Sequence, residues 1–335
     1  MSKNHQVSSS VLQSDWLTYS RNLTEKIDYL VQQKFIGNNI TKSAVFIATG
    51  GYGRQEMAAG SDIDLLVFSA EPLTTQQQKE LRGLGTLDTK PHKLSFQVHD
   101  SQTLQAALES HDNLHLLTSL LDRRMVAGSK KAFAQADKIT MDFIAKRGPA
   151  NLIAEKLRER DARHLRLGDS RYALQPDIKE GKGALRDLHT LRWIVQLMGH
   201  DPAPANLAKQ GFLTKSEAAI LQQAFDFFNN ARHHLHLASR RANDRLGFEW
   251  QPAVALAMGY DHAEPNRRAE KFMHDYFMTA SETGYLLRIL CAALEDRDLS
   301  ASATAGTRWA NIDQTAGGLP LRNNRLLLPK NTDLP

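Results

Sequence analysis

Asp62 and Asp64 stand two residues apart in "ATGGYGRQEMAAGSDIDLLVFS" (48 to 69), inside an apolar run that reads as a buried strand. Residues two apart on a strand point to the same face, so the two carboxylates lie side by side. Such a pair repels itself unless a countercharge is present. A bound divalent cation supplies one, and hard oxygen ligands of this kind suit Mg²⁺ sharing its shell with substrate phosphates. Upstream, "GGYGR" follows a strand and is expected to open a helix through "QEMAA". Glycines there let backbone N–H groups approach phosphate oxygens. Strand, Gly-Gly, short helix and Ser-Asp-x-Asp together describe phosphoryl or nucleotidyl transfer. Taken singly, a D-x-D also describes a solvated strand end, and a glycine cluster a tight turn. The stretch is neither a Walker A loop nor a G-x-G-x-x-G fingerprint.

The elements that must position these residues are legible around them. Leu12, Trp16, Leu23, Ile27, Leu30 and Val31 recur at helical spacing from Ser10 to Phe35. "SAVFIATG" (43 to 50), residues 62 to 68 and "KLSFQVH" (93 to 99) read as three strands, with a helix in "TTQQQKELRGLG" stopped by Gly85. On the third strand Leu94, Phe96 and Val98 face one way and Ser95, Gln97 and His99 the other, giving the sheet one polar face. Beyond Asp100 only helices are expected: 101 to 109, 111 to 126, 129 to 146, 150 to 166, then 185 to 199, 214 to 241 and 265 to 296. "GDSRYALQPDIKEGKGALRD" (168 to 187) is a long polar loop of the kind that often carries function. Strands first and helices after give an α+β chain, a small mixed-sheet domain followed by an all-α domain. The expected divisions are a helical segment over 1 to 40, a catalytic domain over 41 to 148, a helical domain over 149 to 299, and a linker-like tail over 300 to 335.

The 335 residues carry a formal charge of +5, 41% hydrophobic and 24% charged residues, and one cysteine. That is ordinary for a globular protein and excludes a disulfide framework or a cysteine metal site. No apolar run approaches the ~20 residues that span a bilayer, and the start lacks a secretory pattern. The cytoplasm is the expected compartment, with no membrane partner. The basic balance suits a phosphate-bearing ligand. Little interleaving of basic and aromatic residues argues against nucleic acid, and an RNA-end transferase would need a basic track to Asp62 and Asp64. In "RHHLHLASRR" the four-apart pair is Arg232 and His236, which is not a metal pair, so these histidines read as packed or surface groups. Cys291 reads as core.

"GGYGRQEMAAGSDIDLLVF" resembles the signature of the nucleotidyltransferase superfamily related to DNA polymerase β, and more narrowly the bacterial PII-protein uridylyltransferase family. "KLRERDARHLRLGDSRYALQPDIKEGKGALRDLHTLRWI" (156 to 194) resembles that family's second signature. "RHHLHLASRRANDRLGFEWQPAVALAMGY" and "EKFMHDYFMTASETGYLLRILCAALE" are similar to its helical domain, and "GGLPLRNNRLLLP" to the segment leading onward. The resemblance implies transfer of UMP from UTP to a tyrosine of a PII signal protein, with release of pyrophosphate. It implies Mg²⁺ held by Asp62 and Asp64, and Gly50, Gly51 and Ser61 at the triphosphate. Gly53 and Arg54 belong to the matched motif and are carried as nucleotide-binding candidates. Lys179 and Arg186, beside glycines in "KEGKGALRD", could reach the triphosphate from the helical side.

Departures accompany the match. The second signature's Gly-Gly is Gly183-Ala184 here. The superfamily pattern expects a third carboxylate on the third strand, where Gln97 occupies the polar face and Asp100 at the strand end is the candidate. The HD and paired ACT domains that follow in the family lie beyond the matched segments, so uridylyl removal and glutamine sensing are not carried over. The alternative to an enzyme is a remnant that binds nucleotide or a PII partner without catalysis.

Overall fold

The computed structural model describes residues 15–110, 113–301, 314–316, 319–322 and 325–326, with side chains within 16–110 and 113–291. Helix α1 (Asp15–Phe35) and one turn, α2 (Ile40–Ser43), precede β1 (Ala44–Ala48), α3 (Gly50–Arg54) and β2 (Ile63–Ser69). Then come α4 (Thr75–Leu81) with a 3₁₀ turn, β3 (Leu94–His99), α5 (Ser101–Glu109), α6 (Asn113–Leu121) and β4 (Arg124–Gly128). Helices follow: α7 (Lys130–Arg147), α8 (Pro149–Arg166), α9 (Leu185–Leu197), α10 (Pro204–Lys209), α11 (Lys215–Ser239), α12 (Gln251–Ala257) and α13 (Pro265–Ala301). The chain is α+β, as expected. Residues 10 to 14 of the first expected helix lie outside the described residues.

The sheet is mixed, in the order β3-β2-β1-β4. β1 runs antiparallel to both neighbours, whereas β2 and β3 are parallel, joined by the α4 crossover. Three expectations change here. Residues 124 to 126, read as the end of a helix, belong to a fourth strand: "RMVAG" supplies the partner that the second edge of β1 requires. The helix after β1 covers "GGYGR" itself and stops at Gln55, whose φ of 61° turns the chain left-handed, so "QEMAA" lies outside it. Nor does the sheet have one polar face. Alternate residues of β1 and β2 bury both ways: Phe46, Ile63, Leu65 and Val67 pack with Ile27, Val31 and Phe35 of α1, while Ile47, Leu66 and Phe68 pack under α5, α6 and α7. Open positions of the sheet are concentrated on edge strand β3, where even Phe96 and Val98 stay open. Trp193 and Leu197 of α9 join the second of these cores, so the helices after 149 share apolar packing with the sheet.

Residues up to Leu287 make one compact unit and Arg288–Pro335 another. In the latter, β5 (Gln314–Ala316), β6 (Leu319–Arg322) and β7 (Arg325–Leu326) form an antiparallel meander in a stretch whose sequence shows no strand pattern.

Candidate active site

Asp64 is the one exposed position of β2, six of whose seven residues are buried. Asp62, just before the strand, is exposed as well. The expectation of two carboxylates inside a buried strand is thus corrected: Asp64 opens from the strand into a groove and Asp62 lies exposed just before it. The cavity beside Asp64, about 310 Å³, is lined by Thr49, Asp64, Ser95 and Gln97 with His115 and Ser119 of α6. Thr49 fixes the backbone here, its N–H donating to the Asp64 carbonyl at 3.0 Å. The Ser95 hydroxyl donates to Asp64 Oδ1 at 2.9 Å, because the parallel register sets Ser95 opposite Asp64. Gln97 is one pair further along, opposite Leu66. The residue facing the carboxylate is therefore Ser95, which sequence reasoning passed over; strand register was the missing information.

Gly50 adjoins Asp64 closely enough that a Cβ there would sit 3.4 Å from Oδ2. Gly51 and Gly53 lie in the same turn, but Gly53 serves packing. A Cβ on it would fall 2.1 Å from the Asp122 carbonyl and 2.8 Å from that of Ala48, so no other residue lets α3 lie this close. Arg54 points inward. Its Nε donates to Glu56 at 2.7 Å and its Nη1 to Asp122 at 2.5 Å, and its side chain is 7% exposed. Asp122 also accepts from Trp193 Nε1 at 3.0 Å, and Glu56 from His189 Nε2 at 3.2 Å. This buried network ties the α3 turn to α9. Burial, then the Arg54 charge, drives the His189 pKa down to about 3. The ring is neutral, donating from Nε2, and Nδ1 finds no hydrogen bond among the described residues. Glu56 is also held well below the usual carboxylate range: burial raises it, but Arg54 and His189 outweigh that.

These two shifts have the same sign for stability. Between about pH 6.5 and about 3 the unfolded chain binds a proton at His189 that the folded protein refuses, so stability falls as pH falls through that window. Glu56 adds its loss from about pH 4.5 downward. Urea unfolding at stepped pH should show the decline starting above pH 5, and His189→Gln, which keeps a donor for Glu56, should flatten that upper part.

Ser61 is buried and holds the turn before Asp62, its Oγ accepting from Ala58 N–H at 2.9 Å and from Arg232 at 3.3 Å. Asp187, in the first turn of α9, organises the loop before it. It accepts from Gly183 N–H at 2.7 Å, from Arg163 at 2.6 Å and from His164 at 2.9 Å. Arg186 pairs with Glu180 at 2.8 Å and lies over the Trp193 ring. The Lys179 ammonium has no hydrogen bond or ion pair among the described residues; burial, then the nearby Arg232, lowers its pKa. Of the two cations expected at a triphosphate, Lys179 is the one whose charge is not already matched at contact distance.

Asp100 does not stand beside the pair. It caps α5, accepting from Thr103 N–H at 2.8 Å. It lies five residues along from Ser95, roughly 16 Å at about 3.3 Å per residue. A short polar side chain just before a helix is a cap first. His233, His234 and His236 are all buried, as packed histidines are, and Cys291 is buried too. No group of three His, Cys, Asp or Glu that could hold a metal occurs among the described residues. The candidate donors are thus two open carboxylates, Asp64 at the groove and Asp62 just before its strand, a set that fits Mg²⁺ only with water and substrate oxygens completing its shell.

Residues 151–291 match the family model described as GlnD PII-uridylyltransferase. Over 253 residues the chain is 38% identical to a bifunctional uridylyltransferase/uridylyl-removing enzyme of Cereibacter sphaeroides, covering 75% of this chain and 27% of that protein. By sequence, the chain is similar to PII-uridylyltransferases over most of its own length. The enzyme of the same name from Rhodospirillum rubrum is also 38% identical, over 282 residues, covering 82% of this chain and 30% of the relative. The chain spans less than a third of the length of these uridylyltransferases. No described helix is long and apolar enough to cross a membrane.

Proposed function

We propose that the chain is a nucleotidyltransferase that moves UMP from UTP to a tyrosine hydroxyl of a PII protein. The observation that carries this reading is Asp64, the single open position on a buried strand, hydrogen-bonded by Ser95 at a groove with Asp62 two residues behind it. Residues 41 to 148 form the catalytic part in this reading, and the helices after 149 close on the nucleotide. The phenolic oxygen forms a bond to the α-phosphorus while that phosphorus releases its bridging oxygen to the β-phosphate. Pyrophosphate leaves, and the phenolic proton passes to solvent. Asp62 and Asp64 would hold Mg²⁺, which when bound neutralises the triphosphate and favours ionisation of the acceptor hydroxyl. Ser95 holds the Asp64 carboxylate and the Thr49 N–H its backbone carbonyl, Gly50 and Gly51 leave room for phosphate oxygens, and Lys179 adds positive charge from the helical side.

Incubation with Mg²⁺, a PII protein and UTP labelled at either the α- or the γ-phosphate tests this. The α-label is expected on PII and the γ-label in pyrophosphate alone. Absence of α-label on PII overturns the reading, and transfer of the γ-label would make the protein a kinase.

A second reading, a nucleotide- or PII-binding remnant, draws on Ser95 and Gln97 standing where a third carboxylate is expected. It predicts UTP binding by calorimetry without transfer. Under it, Ser95→Asp or Gln97→Asp should raise transfer from a low level.

A further inference from the structure

Gly60 and Ser61 form the turn that delivers Asp62, and it is gripped from α11 and the loop after it. His236 Nδ1 lies 2.9 Å from the Gly60 nitrogen and accepts its N–H. A neutral ring that accepts at Nδ1 carries its proton on Nε2, and Nε2 lies 2.9 Å from Asp244 Oδ1. The same carboxylate takes Arg232 Nε at 2.7 Å, while Arg232 Nη1 reaches the Ser61 hydroxyl at 3.3 Å. Arg232 and His236 are four apart on α11, one turn of helix, so both meet the turn from a single face. The approach is tight. A Cβ on Gly60 would lie 2.9 Å from Ala242 Cα and 2.9 Å from His236 Nδ1. From the other side His92 Nδ1 faces the Ser61 carbonyl at 2.8 Å.

A half-buried backbone N–H held by a histidine whose tautomer is set by a carboxylate fixes the turn, much as the hydrogen-bond partners of metal ligands fix those ligands. Generic packing has no need to aim a charged relay at one peptide group. We propose that Asp244, His236 and Arg232 are positioning residues that set the backbone from which Asp62 projects. They thereby make metal–nucleotide occupancy at Asp62 and Asp64 depend on the helical part of the chain. The inference rests on the function proposed above, and it concerns residues that touch neither substrate nor the reacting atoms.

The test reads Mn²⁺ affinity by electron paramagnetic resonance in the presence of a non-hydrolysable UTP analogue, alongside kcat and KM for transfer. His236→Leu removes the acceptor for Gly60 N–H. His236→Asn places an amide oxygen where Nδ1 was and restores it. The leucine variant is expected to bind Mn²⁺ about 10- to 100-fold more weakly, the range seen when partners of metal ligands are lost, and to lose kcat/KM. The asparagine variant should recover most of that affinity. Asp244→Asn, which keeps the shape and removes the charge, gives the same weakening and serves should the leucine variant fail to fold. Two outcomes overturn the proposal: wild-type Mn²⁺ affinity in folded His236→Leu or Asp244→Asn, or equal losses in the asparagine and leucine variants. Should the wild-type protein transfer no UMP while Mn²⁺ affinity follows the expected order, positioning stands and the uridylyltransferase reading falls.

Discussion

Asp62→Asn/Asp64→Asn is expected to lose UMP transfer by on the order of 10³-fold or more while remaining folded. Charge stabilisation by a metal on phosphoryl oxygens is worth several kcal/mol, and each ~1.4 kcal/mol is tenfold in rate. Asparagine keeps the size of each side chain and an oxygen for Ser95 to donate to, so the groove persists. Both carboxylates are exposed, and neither forms an ion pair with a described side chain, so unfolding should move little. Removing two adjacent like charges relieves repulsion, which favours the folded variant slightly. The measurement pairs transfer of α-labelled UMP with a urea melt. Transfer within tenfold of wild type would place the chemistry elsewhere; a collapsed melt would make the pair structural.

Much of this was legible in the sequence because the relevant signals are local. The D-x-D spacing, the β-branched runs of β1 and β2 and the glycine turn between them need no long-range information, and the two strands fall where their runs put them. What failed was non-local. β4 exists because β1 has an edge to fill, and nothing within "RMVAG" announces that edge. Ser95 faces Asp64 through a register fixed by the α4 crossover, so counting from the polar face of β3 singled out Gln97 instead. The superfamily pattern makes Asp100 the ligand candidate, although its place before an amphipathic helix marks it as a cap. The pair Arg232 and His236 was visible at helical spacing and set aside because it makes no metal site. Its target, a backbone N–H far away in the chain, leaves no trace in composition. Arg54 shows the reverse error: a motif arginine invites a phosphate, and here two carboxylates already hold it.

Asp122→Ala should destabilise the protein by about 3–5 kcal/mol, the cost of leaving a buried charge without its partner. The Asp122 side chain is fully buried and answers two donors on one oxygen, Arg54 and Trp193, with Arg192 Nε 3.5 Å from the other. Glu56 still holds Arg54 in the variant, which keeps the loss from growing further. The expected readout is a lower urea midpoint with an unchanged slope, since the exposed surface differs little. Arg54→Met/Glu56→Gln/Asp122→Leu, which removes the arginine together with both carboxylates that hold it, separates the cost of a broken pair from the worth of the network itself. Replacing all three charges by neutral groups of similar volume removes the desolvation penalty of each and strands no buried carboxylate. The triple variant should therefore be more stable than Asp122→Ala alone. Should it instead be no more stable than Asp122→Ala, the network would be stabilising in its own right. Arg54 would then hold α3, and with it Gly50 beside Asp64, through attraction rather than through the avoidance of an unpaired charge.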